Sequence, residues 1–167
     1  MATPDDSSAL AEFAERTFRD TFQCDNRSED MDQYVSATFG SGMQRAELAD
    51  QRGIVLLLES GASIVGYAQL FCGPQPREVV SGAAIELQRF NIAAEHHGLG
   101  LAQRLMKKAL NTALERDATT LWLGVWERNA RAISFYRKLG FVDVGSQLFM
   151  LGDDRQTDRI MCRATRD

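Results

Sequence analysis

Residues 94–110 read AEHHGLGLAQRLMKKAL and place Gly98 and Gly100 directly before a stretch with helical periodicity. A glycine inside a helix costs about 1 kcal/mol relative to alanine, so two of them here mark a turn that opens a helix. Beyond them Ala102, Leu105, Met106, Ala109, Leu110 and Ala113 recur at helical spacing, while Gln103, Arg104, Lys107, Lys108 and Asn111 face away. That pattern is an amphipathic helix packed on a sheet. Its first N–H groups have no intrahelical partner and carry the positive end of the helix dipole. Residues without side chains let an anion approach those groups closely. The segment is therefore either a phosphate or pyrophosphate cradle or a tight turn that needs glycine for its backbone alone, and the glycines by themselves do not choose.

The rest of the chain supplies the sheet. Residues 7–18, 28–39 and 43–50 have helical spacing, with Ser7 or Ser8 and then Ser28 as N-cap types. Residues 53–60 and 63–71 read as strands joined by a turn at Gly61, and residues 83–93 as a third strand. Two prolines in PQPRE, residues 74–78, demand a loop. After the glycine-led helix, which runs to about Asp117, come a strand over 120–126 and a helix over 129–140 that Gly140 ends. Residues 141–145, 147–151 and 157–163 close the chain as strands. Helices, strands, helix, strand, helix, strands describe an α/β (α+β) protein, expected to be one domain over 1–167.

Composition bounds the chemistry. A net charge of −4 leaves no basic surplus to neutralise phosphates, which argues against nucleic-acid partners. Cys24, Cys72 and Cys162 are widely spaced and form no ligand pattern, so neither a disulfide framework nor a metal site is expected. His96 and His97, adjacent on a loop, do not make one either. The first residues, MATPDDSSAL, lack a basic start and an apolar stretch, and no apolar run nears the roughly 18 residues of a membrane span. A cytoplasmic protein without membrane partners is the expectation.

The glycine segment can be compared with known phosphate motifs. A P-loop needs Gly-Lys-Ser/Thr, but Leu101 and Ala102 follow Gly100. A dinucleotide fingerprint begun at Gly98 needs a small residue where Gln103 stands. Begun at His97, the segment is His-x-x-Gly-x-Ala. It resembles the Gln/Arg-x-x-Gly-x-Gly/Ala signature that wraps the pyrophosphate of acetyl-CoA in the GNAT superfamily of N-acetyltransferases, with His97 as the departure. Downstream, NARAISFYRKLGF resembles that family's Asn-x-x-Ala-x-x-Phe-Tyr-x-x-x-Gly-Phe at Asn129, Ala132, Phe135, Tyr136, Gly140 and Phe141. GASIVGYAQL, residues 61–70, is similar to its third strand. The resemblance covers nearly the whole chain. It implies a central mixed, mostly antiparallel sheet with splayed middle strands, flanked by helices, whose usual first strand is shortened or missing here.

The resemblance also implies a cofactor and a site. Acetyl-CoA is the co-substrate, with its pyrophosphate at His97, Gly98, Leu99, Gly100, Leu101 and Ala102. Its pantetheine lies along Phe90, Asn91 and Ile92, hydrogen-bonded by the backbone of Phe90 and Ile92, and Asn129 both caps a helix and contacts cofactor. Tyr136, which spacing alone reads as core, becomes the acid that protonates the leaving thiolate. Acetyl transfer needs a neutral amine, a polarised carbonyl and a protonated leaving group. Glu86 is the candidate base, since alternation puts it on one face with Gln88, Phe90 and Ile92; its other reading is an exposed strand glutamate. Trp122, Gly124 and Trp126 share a strand face and read most simply as core.

For the acceptor, residues 17–39, 121–145 and 149–161 resemble bacterial spermidine/spermine N-acetyltransferases. A polyamine needs carboxylates at intervals and an aromatic wall. Glu29, Asp30, Asp32, Glu86, Glu127, Asp153, Asp154 and Asp158 could supply the first, and Trp126 and Tyr34 the second. A protein or peptide N-terminal amine is the rival acceptor, and a non-catalytic acyl-CoA-binding regulatory module the rival function. A homodimer is compatible with the resemblance.

Overall fold

The structure is a computed structural model that describes residues 1–80 and 82–166. Three helices come first: α1 (Ser7–Phe22), α2 (Ser28–Thr38) and α3 (Ser41–Ala49). Strands β1 (Gly53–Ser60), β2 (Ser63–Phe71) and β3 (Ala84–Ile92) follow, then α4 (Leu101–Glu115), β4 (Thr120–Trp126), α5 (Ala130–Lys138), β5 (Val142–Leu151) and β6 (Asp154–Ala164). Among the described residues no strand precedes α1. Ala2 donates one backbone hydrogen bond to Val55 at 2.8 Å, a single rung along the edge of β1.

Two boundaries differ from expectation. Ser7 and Ser28 are the first helical residues and not the caps, which are Asp6 and Arg27. Ahead of α1, Thr3 and Asp6 already hold each other, the Thr3 N–H donating to Asp6 Oδ2 at 2.7 Å. The two expected strands over 141–145 and 147–151 are one strand, β5, whose register on β6 steps between Asp143 and Gly145. That single extra residue is a bulge.

The sheet order is β1-β2-β3-β4-β6-β5. Every pairing is antiparallel except β3 with β4, which α4 connects as a crossover. This parallel pair has only three rungs, Ala84 with Thr120, Ile85 with Leu121 and Glu86 with Trp122. Beyond them the strands part, so residues 87–92 of β3 and 123–126 of β4 face a gap.

Apolar alternation buries both sheet faces. On one, Leu56, Leu70, Leu87, Leu121 and Leu123 meet Leu105, Met106, Ala109 and Ala113 of α4 and Tyr136 of α5. On the other, Val55 and Tyr67 meet Leu10, Phe13 and Ala14 of α1 and Val35 of α2. Among the described residues no helix is long and apolar enough to cross a membrane.

A bulge in β3 corrects the expected face assignment. Pairing with β2 runs Phe71 to Glu86 and Leu70 to Leu87, then steps to Gln69 with Arg89, Ala68 with Phe90 and Tyr67 with Asn91, leaving Gln88 extra. Cross-strand partners share a face. Glu86 therefore lies with Arg89 and Asn91, and Phe90 and Ile92 point the other way, into the core under α4.

Candidate functional site

The gap between β3 and β4 opens a cleft of about 340 Å³ that has walls on both faces of the sheet. On the α4–α5 face the lining residues are Phe90, Ile92, His97, Ala102, Val125, Asn129, Ala132, Phe135 and Tyr136. On the α1–α2 face they include Phe18, Phe22, Tyr34, Phe39, Tyr67, Arg89, Asn91, Gly124, Trp126, Phe149, Gln156 and Asp158. The cleft thus runs through the sheet, with one arm on each side.

The first arm ends at the start of α4. Gly98 has φ 81° and Gly100, the N-cap of α4, has φ 77°. Both are left-handed, the conformation that a Cβ disfavours. Among the described residues, chain neighbours aside, nothing lies within 4 Å of where a Cβ would sit on either glycine. The turn therefore needs glycine for its backbone, and the space in front of the helix terminus is open to an anion as well. His97 lines the cleft with its Nε2 hydrogen-bonded to the Ile92 carbonyl at 2.9 Å, which pins the loop to the end of β3. Leu99 is exposed, and residues 98–101 lie outside the cleft lining.

Helix α5 supplies the opposite wall of this arm. The Asn129 side chain accepts from the Ala132 N–H at 3.0 Å, so it caps the helix as expected. Tyr136 is buried among the rings of Phe90, Phe135 and Phe141, with centroids 5.5–6.4 Å away. Burial pushes its phenol pKa up and keeps it protonated.

The second arm is an aromatic box with one carboxylate. Phe18 stacks on Tyr34 at 4.9 Å, Tyr34 meets Phe149 at 5.4 Å, and Phe22 meets Trp126 at 6.0 Å. Asp158 on β6 pairs in register with Trp126 of β4 on one side and Gln147 of β5 on the other. It is 8% exposed, and burial pushes its carboxyl up to about 6. Gly124 makes room for this group: a Cβ there would lie 2.7 Å from Gln147 Nε2 and 3.0 Å from Asp158 Oδ2. At the far wall Arg89 donates to Glu47 and Gln69 and lies 5.2 Å from the Phe39 ring. Beside it Tyr67 is fully buried, and burial pushes its phenol pKa up.

The expected acidic residues are mostly engaged elsewhere. Glu86 sits at the vertex of the gap, beside Trp122, half-buried and outside the cleft lining; it accepts from Gln88 Nε2 at 3.3 Å. Asp32 pairs with Arg19 at 2.9 Å, and Glu29 with Arg27 at 3.8 Å. Buried Asp30 accepts from the Asp153 N–H at 3.0 Å, docking the β5–β6 turn on α2. Asp154 accepts from Gln156, and Glu127 is exposed. Of the eight named carboxylates only Asp158 lines the cleft. The sequence held Asp158 as one acidic residue among several; its isolation in the box depends on strand pairing, which no local pattern encodes. Trp126, read most simply as core, lines the box. Trp122 packs in the core with Val79 and Ile160.

Comparison with known proteins gives four matches. The family described as Acetyltransferase (GNAT) family matches residues 9–141. An uncharacterized N-acetyltransferase of Mycobacterium tuberculosis is 35% identical over 158 residues, 95% of this chain and 97% of that protein. Another, from Lactobacillus delbrueckii subsp. lactis, is 32% identical over 89% of this chain and 86% of its own length. Among solved structures, the PaiA N-acetyltransferase of Thermoplasma acidophilum in complex with coenzyme A superposes with a TM-score of 0.76, covering 98% of this chain and 95% of that one at 17% identity. That likeness is one of fold.

Proposed function

The chain belongs to the acetyltransferase (GNAT) family, acetyl-CoA-dependent N-acetyltransferases, and on that premise we propose that it acetylates the primary amine of a small molecule, with polyamines such as spermidine and spermine the first to test. The observation that carries this reading is the cleft through the sheet, because two substrates can reach its middle from opposite faces.

Acetyl-CoA occupies the α4–α5 arm. Its pyrophosphate meets the N–H groups at the start of α4, across residues 97–102, where the open glycine turn and the helix dipole favour an anion. The pantetheine runs into the gap along Phe90, Asn91 and Ile92, whose β4-facing backbone has no strand to pair with, and passes Asn129. N–H groups on this edge are placed to polarise the thioester carbonyl as negative charge develops. Tyr136, protonated and at the cleft wall, gives its proton to the departing thiolate.

The amine enters from the α1–α2 arm and attacks the thioester directly in a ternary complex. Aromatic faces attract an alkylammonium, and Asp158 supplies the opposite charge. A polyamine lays its alkyl chain along the rings with one terminal ammonium at Asp158; among the described residues its other ammonium groups have no further carboxylate in the cleft lining to meet. The chain 1–167 acts as one domain in this reading.

Thiol release from acetyl-CoA, measured against spermidine, spermine, simple monoamines and peptides with free N-termini, tests the proposal. Turnover of small amines is the expected result. A preference for peptides without small-amine turnover overturns the acceptor class, and acetyl-CoA binding with no turnover of any amine favours a regulatory binding module.

A further inference from the structure

We propose that Asp158 is the general base of the reaction, the group that takes a proton from the acceptor ammonium before attack. The proposal rests on the reading of the cleft as an amine-acetylating site.

Among the described residues that line the cleft, Asp158 is the one carboxylate. The other ionisable groups there are occupied or unsuited. Arg89 is committed to Glu47 at 2.6 and 3.0 Å, and His97 uses Nε2 on the Ile92 carbonyl at 2.9 Å in the cofactor arm. The phenols of Tyr34, Tyr67 and Tyr136 are held protonated by burial, and Arg131 of α5, which also lines the cleft, is a guanidinium with donors only and cannot take a proton. Glu86 sits at the vertex, outside the lining, with Gln88 donating to it.

The surroundings of Asp158 are what a base needs. Trp126 faces it from β4, Gln147 from β5 and Gln156 along β6, and Tyr34 of α2 senses both its charge and that of Arg89. Among the described residues no ion pair or side-chain hydrogen bond offsets its burial, which sets its raised pKa of about 6. A buried carboxylate without a cation is a costly arrangement, and an incoming ammonium relieves it. At pH 7 to 8 it is still ionised and is a stronger base than an exposed aspartate, which narrows the gap to an ammonium of pKa ~10.4. The missing side chain at Gly124, next to the gap, keeps the path between Asp158 and the parted strands clear.

The protons balance as follows. Asp158 takes one proton from R–NH3+, leaving the nitrogen lone pair free. The C–N bond forms as the thioester carbonyl becomes an oxyanion; when that collapses, the C–S bond breaks and the thiolate takes the Tyr136 proton. The amide nitrogen sheds its second proton through solvent to restore Tyr136, and Asp158 releases its own to solvent. The sum is acetyl-CoA plus ammonium giving amide, CoA thiol and one proton.

The test is kcat and KM from pH 5 to 9 with spermidine and with benzylamine, for the unaltered protein, Asp158→Asn, Asp158→Glu and Glu86→Gln, with circular dichroism to confirm folding. Asp158→Asn is expected to lower kcat by about 10²-fold or more and to remove the acidic limb near pH 6, while KM for acetyl-CoA barely moves. Asp158→Glu should recover part of the rate, and Glu86→Gln should keep the limb. A limb and rate retained in Asp158→Asn overturn the proposal, as does a limb lost in Glu86→Gln instead, or an effect of Asp158→Asn confined to the amine KM. If the unaltered protein acetylates neither amine, the acceptor reading falls and this assignment with it.

Discussion

Arg89 on β3 and Glu47 on α3 hold each other through two hydrogen bonds, Nη1 to Oε2 at 2.6 Å and Nη2 to Oε1 at 3.0 Å. The same guanidinium donates to Gln69 of β2 at 2.8 Å, so one side chain ties a helix and two strands together at the wall of the acceptor arm. The Arg89 side chain is only 17% exposed and Glu47 28%. Removing the carboxylate leaves a buried cation without its partner. Glu47→Ala is expected to cost about 3 kcal/mol, the lower end for breaking a buried pair, read from urea unfolding. A loss below about 1 kcal/mol, as for a surface pair, would show that the site tolerates a free guanidinium.

Gly100 is the clearest test of the cofactor arm. With φ 77° and open space around the position of a Cβ, Gly100→Val strains the backbone without clashing with a neighbour. The strain is roughly 1–2 kcal/mol, and the β-branched side chain fills the space in front of the helix terminus. The variant is expected to fold and to lose acetyl-CoA binding in calorimetry. Normal CoA affinity in a folded Gly100→Val protein would move the pyrophosphate elsewhere.

How much of this was legible in the sequence depends on the range of the interaction. The glycine turn, the stripe on α4 and the Asn129 cap are written in neighbouring residues, and the helix and strand order followed from them. The parting of β3 from β4 came only through the family resemblance. The bulge at Gln88 was not legible: one extra residue in β3 reverses every side chain beyond it, and nothing in IELQRFNI marks where it falls. Glu86 was therefore grouped with Phe90 and Ile92 by an alternation that the strand breaks. Asp158 was visible only as part of an acidic cluster. Its neighbours Trp126 and Gln147 come from strands that are distant in sequence, while nearby Asp153 donates its N–H to Asp30 and Asp154 accepts from Gln156.

Tyr136→Phe isolates the acid. Among the described residues the hydroxyl makes no hydrogen bond, so its removal should leave the packing of Phe90, Phe135 and Phe141 around the ring unchanged. Turnover is expected to fall by about 10²-fold, typical of a lost proton donor, with acetyl-CoA affinity and melting temperature little altered. An unchanged rate would assign protonation of the thiolate to water.

Gly124→Ala should act on the other arm. The new methyl would sit 2.7 Å from Gln147 Nε2, a flexible end that can move, and 3.0 Å from Asp158 Oδ2, which must turn away. Displacing a reacting group by a fraction of an ångström costs roughly 10- to 10²-fold. That loss should appear in kcat/KM for the amine and not in KM for acetyl-CoA. Equal losses for both substrates would mean that the methyl distorts the whole gap.

Stability should carry the mark of Asp158 as well. Burial raises its carboxyl from an ordinary 3.8 to about 6, so the folded chain holds this proton over a range in which the unfolded chain has released it. Where the folded state binds more protons, stability falls as pH rises. For this group the decline runs from about pH 4 to about pH 6 and persists above it. Asp158→Asn removes the charge without changing the shape of the side chain. It is therefore expected to melt higher than the unaltered protein at pH 8, with the difference shrinking at pH 4.5. A saturating amine acceptor should raise the melting temperature of the unaltered protein at pH 8 and that of Asp158→Asn much less, because only the former offers the ammonium a charge. Thermal melts of both proteins at the two pH values, with and without spermidine, measure all of this. If Asp158→Asn is less stable at pH 8, the carboxylate has a stabilising partner in solution, and the picture of a lone buried charge waiting for its substrate is wrong.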